Sequence, residues 1–198
     1  MDQSADLKSG LPILGFASAS EWETWLSQQA ATSQGVWLKL AKKGATTASV
    51  SRQDAIEGAL CHGWIDGQLG RFDDEFWLVR FTPRKRNSKW SEVNRTTAAA
   101  LIERGRMHPA GLGAVEAAKA DGRWEAAYAP QSTAAIPADL QAALDASAEA
   151  ARFFMVLDRA NRYAILYRIQ DARTPEARAR RIERFIAMLE RGEMIHPR

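Results

Sequence analysis

The sequence predicts an α+β fold in which a small antiparallel sheet of three or four strands is covered by helices and followed by a helical C-terminal part. Three observations support this prediction. Short apolar segments with strand-like composition are concentrated in the first 82 residues. Apolar residues recur with helical spacing from residue 91 onward, and a linker bounded by Pro130 and Pro137 separates the two parts. We therefore expect an α+β domain over residues 1–129 and a helical extension over residues 130–198.

Four segments of the first half are strand candidates. Each is short and contains β-branched or aromatic residues, a composition typical of strands. An acidic turn separates the last two, which predicts an antiparallel hairpin. In the second strand of this hairpin, Trp77, Val79 and Phe81 share the face that we expect to enter the core. The four segments are residues 11–16, 35–42, 64–72 and 76–82.

Capping residues indicate where the helices begin. Ser20 and Glu23 have the spacing of a capping box, which predicts a helix from there to about residue 31. Ser51 is expected to cap a second helix. Near the C-terminus, Thr174 and Pro175 are expected to begin a final amphipathic helix. The other expected helices cover residues 92–104, a stretch that ends at about 120, residues 138–144 and the apolar region around 153–169.

The composition excludes several kinds of site. Cys61 is the single cysteine, so an intramolecular disulfide and a multi-cysteine metal site are excluded. The three histidines, His62, His108 and His196, show no metal-ligand spacing. We therefore expect no metal and no cofactor. No run of about 18 apolar residues occurs, so we also expect no membrane span.

The segment from residue 11 to residue 19 is superficially similar to the apolar core of a signal peptide. Asp2 and Asp6 make the residues before it acidic rather than basic, and Pro12 and Gly15 interrupt the apolar run. We therefore expect no signal peptide and a cytoplasmic location.

Positive charge is concentrated in one window of the chain. Residues 80–95 contain six lysines and arginines and one glutamate, a net charge of +5, whereas the whole chain carries +3. A positive patch on an otherwise slightly acidic chain is typical of proteins that bind an anionic partner.

An anion site is one hypothesis for this window. Arg84 and Lys85 follow a strand-ending proline and precede a predicted helix start near Ser88. Helix N-termini bind anions, and guanidinium groups add charge-assisted hydrogen bonds, so phosphate, carboxylate or sulfate would be suitable ligands. The alternative is that the basic run is a solvated turn and the serine is an ordinary cap. Trp90 lies in the same window and is the tryptophan least easily explained as core.

A polar pocket is a second hypothesis. Asp66 and Gln68 alternate with other residues on a predicted strand, so both point to the same face. If that face turns toward Trp90 and Asn94, these side chains form a small pocket, to which Arg106 is added. The alternative is that Asp66 and Gln68 satisfy neighbouring backbone groups and Asn94. A single carboxylate without a paired acid or histidine is weak support for acid–base catalysis.

Cys61 and His62 do not form a nucleophile and base pair. They are adjacent on a predicted helix, so their side chains diverge by about 100°. We interpret Cys61 as a small buried residue, because free cysteines are usually packed in cores.

Several motifs resemble one bacterial family. Ala-Leu-Cys-x-Gly-Trp-Ile-Asp-Gly-Gln occupies residues 59–68, Phe-Thr-Pro-Arg-Lys begins at residue 81, and Arg-Thr-Pro-Glu begins at residue 173. With Gly-Arg-Met at residue 105 and Asp-Gly-Arg-Trp at residue 121, they are similar to the YdeI/OmpD-associated, or bacteriocin-protection, family over nearly the whole chain. The resemblance implies a link to envelope stress and outer-membrane porins. Some descriptions of that family also imply a periplasmic location, which the missing signal peptide does not support.

Two hypotheses on function follow. The favoured one is a non-enzymatic stress or envelope-associated protein that binds a small anionic ligand or a protein partner through the basic segment. The alternative is an enzyme of unknown reaction that uses the polar pocket. Nucleic-acid binding is disfavoured, because the basic segment is short and the total charge is small. The candidate ligand-binding residues are Trp64, Asp66, Gln68, Arg84, Lys85, Ser88, Trp90, Asn94 and Arg106, and none is assigned a catalytic role.

Overall fold

A mixed sheet organises the N-terminal part of the protein. The computed structural model describes residues 6–197, and within that range five strands form the sheet. They are β1 (Leu7–Lys8), β2 (Leu11–Gly15), β3 (Val36–Ala41), β4 (Trp64–Arg71) and β5 (Phe76–Pro83). Their order is β1-β2-β3-β5-β4, in which β2 and β3 are parallel and the other neighbours are antiparallel.

The α+β prediction is confirmed, and the sheet differs from the expected one in two respects. It has an additional short strand, β1, which is joined to β2 by a turn in which Ser9 and Gly10 have positive φ. The sheet is also mixed rather than purely antiparallel, because the chain between β2 and β3 crosses back to the end of the sheet from which β2 started. β4 and β5 form the predicted hairpin.

Helix α2 (Arg52–Cys61) is the central helix of the N-terminal unit. It contacts α1, α3, α4 and β4. The main core lies between the sheet and the first two helices, where Trp22, Leu26, Ala55 and Phe81 are almost completely buried. The helices of this unit are α1 (Ala19–Gln29), α2 (Arg52–Cys61), α3 (Glu92–Glu103) and α4 (Pro109–Ala120).

Both faces of β5 are buried. Val79 and Phe81 have no exposed surface and Trp77 packs against the same core, which confirms the face predicted from the sequence. Leu78 points to the opposite face, where it is 1% exposed and clusters with Trp37. The sheet therefore has a second, smaller apolar cluster that the alternation in β5 alone did not indicate.

The capping box of α1 is not the predicted one. The N-cap is Ser18, whose hydroxyl oxygen accepts the Glu21 N–H at 3.3 Å. The Glu21 carboxylate in turn accepts the N–H of Ala17 at 3.0 Å. The prediction of a box between Ser20 and Glu23 is therefore wrong. The same spacing of serine and glutamate occurs two residues earlier, and the helix begins there.

The C-terminal end of α2 and the start of α4 are in backbone contact. The His108 N–H donates to the carbonyl oxygen of Cys61 at 3.0 Å. A Cβ at Gly111 would lie 2.3 Å from that oxygen, so only glycine fits there. Gly63, at φ +73°, also lies close to α4, because a Cβ there would lie 2.8 Å from the carbonyl oxygen of Ala110.

The C-terminal unit is helical. The chain divides into two compact units, Met1–Ala127 and Tyr128–Arg198, whereas the domain boundary at 129/130 stays a prediction. Apolar side chains of four helices form the core of the second unit. Thr174 caps its last helix and Pro175 begins it, as predicted. The helices are α5 (Ala138–Asp145), α6 (Ala148–Val156), α7 (Arg159–Gln170) and α8 (Pro175–Glu190).

One bidentate ion pair joins the first and last helices of this unit. Arg178 of α8 donates to both carboxylate oxygens of Asp139 in α5, at 2.5 and 2.9 Å. These hydrogen bonds lower the pKa of Asp139. Within residues 6–197, no helix has the length and apolar character needed to cross a membrane.

We predict opposite effects for two glycine substitutions in α4. Gly111→Ala should lower the free energy of unfolding by about 1–3 kcal/mol, because the new Cβ displaces α4 from α2. Gly113→Ala should raise it by up to about 1 kcal/mol, because nothing lies within 4 Å of its new Cβ and alanine favours the helix. Urea unfolding measures both. Equal effects of the two substitutions would contradict the backbone contact.

Candidate functional site

The basic loop runs from Arg84 to Lys89, between β5 and α3. It is anchored to the sheet, because the Arg84 N–H donates to the carbonyl oxygen of Gly63 at 2.9 Å. Inside the loop, the Lys85 N–H donates to Oγ of Ser88 at 3.0 Å, and the Ser88 N–H donates to the carbonyl oxygen of Lys85 at 2.9 Å. The basic loop is therefore a hydrogen-bonded turn with a defined backbone path.

Arg84 and Trp90 form a stacked pair beneath this loop. Cζ of Arg84 lies 3.6 Å from the ring centroid of Trp90, and Nη1 of Arg84 donates to the carbonyl oxygen of Lys89 at 3.1 Å. Trp90 is 2% exposed and packs edge-on against Trp124, with the ring centroids 4.9 Å apart. Trp90 is thus a core residue, and Arg84 holds the loop to it through a cation–π contact.

Lys85, Arg86 and Lys89 are the exposed cations of the loop. The neighbouring Arg123 donates to the carbonyl oxygen of Ser88 at 2.8 Å and pairs with Asp121, also at 2.8 Å. Hydrogen bonds from Arg123, with a smaller contribution from the charge of Arg86, lower the pKa of Asp121.

The N-terminus of α3, where an anion was expected to bind, is occupied by the protein's own side chains. Ser91 is the N-cap, and its hydroxyl oxygen accepts the Asn94 N–H at 3.1 Å. Glu92 places a carboxylate in the first turn of α3. Ser88 is a turn residue within the loop. The geometry favours the interpretation of these serines as cap and turn residues.

The strand residues of the predicted polar pocket have separate surroundings. Asp66 lies near α2, with Oδ2 3.8 Å from Nη2 of Arg52. Gln68 is exposed, beside an irregularity in the pairing of β4. Trp64 is 1% exposed in the main core, where its Nε1 donates to the carbonyl oxygen of Ala30 at 3.2 Å.

Arg106 lies between α1 and α2. It pairs with Glu23 of the first helix and with Glu57 of the second, the latter at 3.0 Å. Across residues 6–197, no hydrogen bond or ion pair joins Asp66, Asn94 and Arg106 to one another. The enzyme hypothesis requires these side chains to converge and so gains no support from the geometry.

Two of the histidines that show no metal-ligand spacing in the sequence form a stacked pair. His62 caps the C-terminal end of α2 and His108 caps the N-terminal end of α4, and their ring centroids are 4.0 Å apart with the planes at 22°. Burial, and then the neighbouring His108, lower the pKa of His62, which is 8% exposed. The backbone contact between the two helices creates this pair, and no local motif signals it.

Cys61 is 3% exposed, and burial raises the pKa of its thiol. This supports its interpretation as a small core residue rather than a nucleophile. The part of the chain that the structure describes contains no group of three or more histidine, cysteine, aspartate or glutamate residues arranged to hold a metal ion.

Two family models match the protein. Residues 14–114, just over half of the chain, match a domain of unknown function, DUF8412. The chain belongs to the DUF8412 family. The basic loop, the contact between α2 and α4 and the histidine pair all lie within the DUF8412 region.

Residues 133–192 match the family described as "Bacteriocin-protection, YdeI or OmpD-Associated". This match confirms the resemblance seen in the sequence, and it includes the Arg-Thr-Pro-Glu motif at 173–176. The motifs at 59–68 and 81–94 lie instead within the DUF8412 region. No curated protein and no solved structure matches the chain.

We predict that the free energy of unfolding falls as the pH is lowered below 6.5, the unperturbed pKa of histidine. Because the folded-state pKa of His62 lies below that value, the unfolded chain binds a proton first as the pH falls. The contribution of His62 to the free energy of unfolding is therefore fully present above pH 6.5 and is lost as the pH falls through the folded-state pKa of His62.

The measurement is urea unfolding between about pH 7.5 and 5.5, the range in which histidine titrates. The control is His62→Phe, which keeps a ring against His108 and removes the titrating group. A smaller pH dependence is expected in this variant, whereas the same slope in both proteins would show that His62 does not cause the loss.

Proposed function

We propose that this protein is a binding protein that recognises an anionic group through the basic loop. The observation that carries this proposal is the exposure of Lys85 and Arg86 on a turn that is held in place by the stack of Arg84 on Trp90. Part of the positive window of residues 80–95 therefore lies on a turn with a defined backbone path.

Preorganisation supports this proposal. Ordering a loop at the moment of binding costs free energy, and a loop that is already ordered avoids most of that cost. Here Lys85 and Ser88 exchange two hydrogen bonds, and Arg84 donates to the carbonyl oxygens of Gly63, before β4, and Lys89, at the end of the loop. The backbone that carries Lys85 and Arg86 is therefore ordered before a ligand arrives.

The chemistry of the two cations indicates the ligand. Arg86 presents a planar group that matches the two oxygens of a carboxylate or phosphate, whereas Lys85 acts as a point charge. Such oxygens occur on small anions and on the acidic surface of a protein partner, and both sources are arms of the test below. Binding to nucleic acid is disfavoured because only a short segment is basic.

The description of the matched family suggests the setting of this binding. Its words are bacteriocin protection and association with OmpD, and a stress or envelope-associated role is consistent with them. We propose this role without a catalytic step. A cytoplasmic location stays a prediction from the sequence.

The test compares two double variants that lose equal charge. Lys85→Ala with Arg86→Ala removes two of the exposed cations of the loop and keeps Lys89, and Lys43→Ala with Arg104→Ala removes two exposed cations elsewhere in the same unit. Titration calorimetry with inorganic phosphate, citrate and polyglutamate measures binding. Hydrogen bonds to charged groups contribute about 1.5–3 kcal/mol each, so the loop variant should bind at least about tenfold more weakly.

The control variant should bind as the natural protein does, and binding should weaken as salt rises. Tighter binding of citrate identifies a small-molecule site, whereas tighter binding of polyglutamate identifies a protein partner. No binding of any of the three probes, or equal losses in the two double variants, would overturn the proposal.

A further inference from the structure

We propose that a groove along α1 binds an organic cation that carries an ammonium or guanidinium group. The groove has a volume of about 360 Å³, at the lower end of the range for small-molecule sites. This proposal does not depend on the basic loop. The groove is lined by Phe16, Ser20, Glu21, Thr24, Trp25 and Gln28.

The lining follows from the helical periodicity of α1. Ser20, Thr24 and Gln28 are spaced by four residues, and Glu21 and Trp25 are spaced in the same way, so the five side chains form one stripe. Residues of the core-facing stripe, such as Trp22 and Leu26, have no exposed surface. Within the groove stripe, Trp25 is half-buried against the core, whereas Ser20, Glu21, Thr24 and Gln28 are exposed.

Two aromatic rings form the apolar part of the groove. The centroids of Phe16 and Trp25 are 6.1 Å apart, with the ring planes at 49°. Trp25 is held by two further rings. It lies parallel to Trp22, with the ring centroids 5.4 Å apart, and perpendicular to Trp64, with the centroids 5.9 Å apart and the planes at 89°. The indole is therefore fixed, and the face of an indole is the best aromatic partner for a cation.

The polar part of the groove offers acceptors and one negative charge. The Glu21 carboxylate is oriented by the Ala17 N–H, which donates to its Oε2 at 3.0 Å. The Thr24 hydroxyl donates its hydrogen to the carbonyl oxygen of Ser20 at 2.8 Å, so its oxygen is left to act as an acceptor. A ligand that donates hydrogen bonds would therefore find acceptors at Glu21 and Thr24.

Charge complementarity identifies the class of ligand. Glu21 is the charged residue among the six that line the groove. A neutral sugar can lie on an aromatic ring and donate to a carboxylate, but it does not neutralise the negative charge. An ammonium or guanidinium group uses all three features, because it carries N–H donors, complements the carboxylate and is attracted to the ring faces.

The test uses agmatine and butylamine as cationic probes and glucose as a neutral probe, with titration calorimetry on the full chain. Glu21→Gln removes the charge and keeps an oxygen that can accept the Ala17 N–H, so the cap of α1 is retained. We expect saturable binding of the cations, at least about tenfold weaker binding in this variant and no binding of glucose.

Two further variants separate binding from folding. Glu103→Gln removes an equal charge at an exposed position of α3 and should bind the cations as the natural protein does. Gln28→Arg adds a positive charge, which repels the cationic probes, at an exposed position of the groove. It should abolish binding without lowering the melting temperature. No binding of either cation, unchanged affinity in Glu21→Gln and Gln28→Arg, or preferential binding of glucose would each overturn the proposal.

Discussion

The arrangement of the N-terminal unit depends on the contact between the carbonyl oxygen of Cys61 and the start of α4. This oxygen lies at the end of α2, accepts the N–H of His108, and leaves no room for a side chain at Gly111. Since α2 also contacts α1, α3 and β4, this close approach packs α4 against the same helix that α1 and α3 contact. The basic loop is attached at the same place, because Arg84 donates to the carbonyl oxygen of Gly63.

This attachment gives adjacent cations different roles. Arg84 lies on the face of Trp90 and connects the loop to the core, whereas Lys85 and Arg86 remain on the exposed side. A charged run that resembles an ordinary solvated turn in the sequence is thus partly a structural element. The α1 groove differs in sign, since its charged lining residue is Glu21. Our two proposals therefore assign chemically distinct ligands to two surfaces of one unit, an anionic group to the basic loop and a cationic group to the α1 groove.

Features encoded within a few residues could be predicted from the sequence, and features that depend on distant contacts could not. The caps at Ser51 and Thr174 and the β4–β5 hairpin follow from short patterns and are confirmed. The parallel pairing of β2 and β3 depends on the path of the intervening chain, and β1 is too short to show alternation. For the site, the basic window was apparent, but the burial of Trp90 and the stacking of His62 on His108 require the packed helices.

The central claim is that the stack of Arg84 on Trp90 fixes the loop that presents the charge. Arg84→Lys keeps the charge and removes the planar group, so it tests this claim directly. Amide hydrogen exchange at Lys85 and Ser88, measured together with polyglutamate or citrate affinity, reports loop order and binding in the same variant. Our account predicts faster exchange at both amides and weaker binding at unchanged net charge. Unchanged exchange and affinity would contradict it.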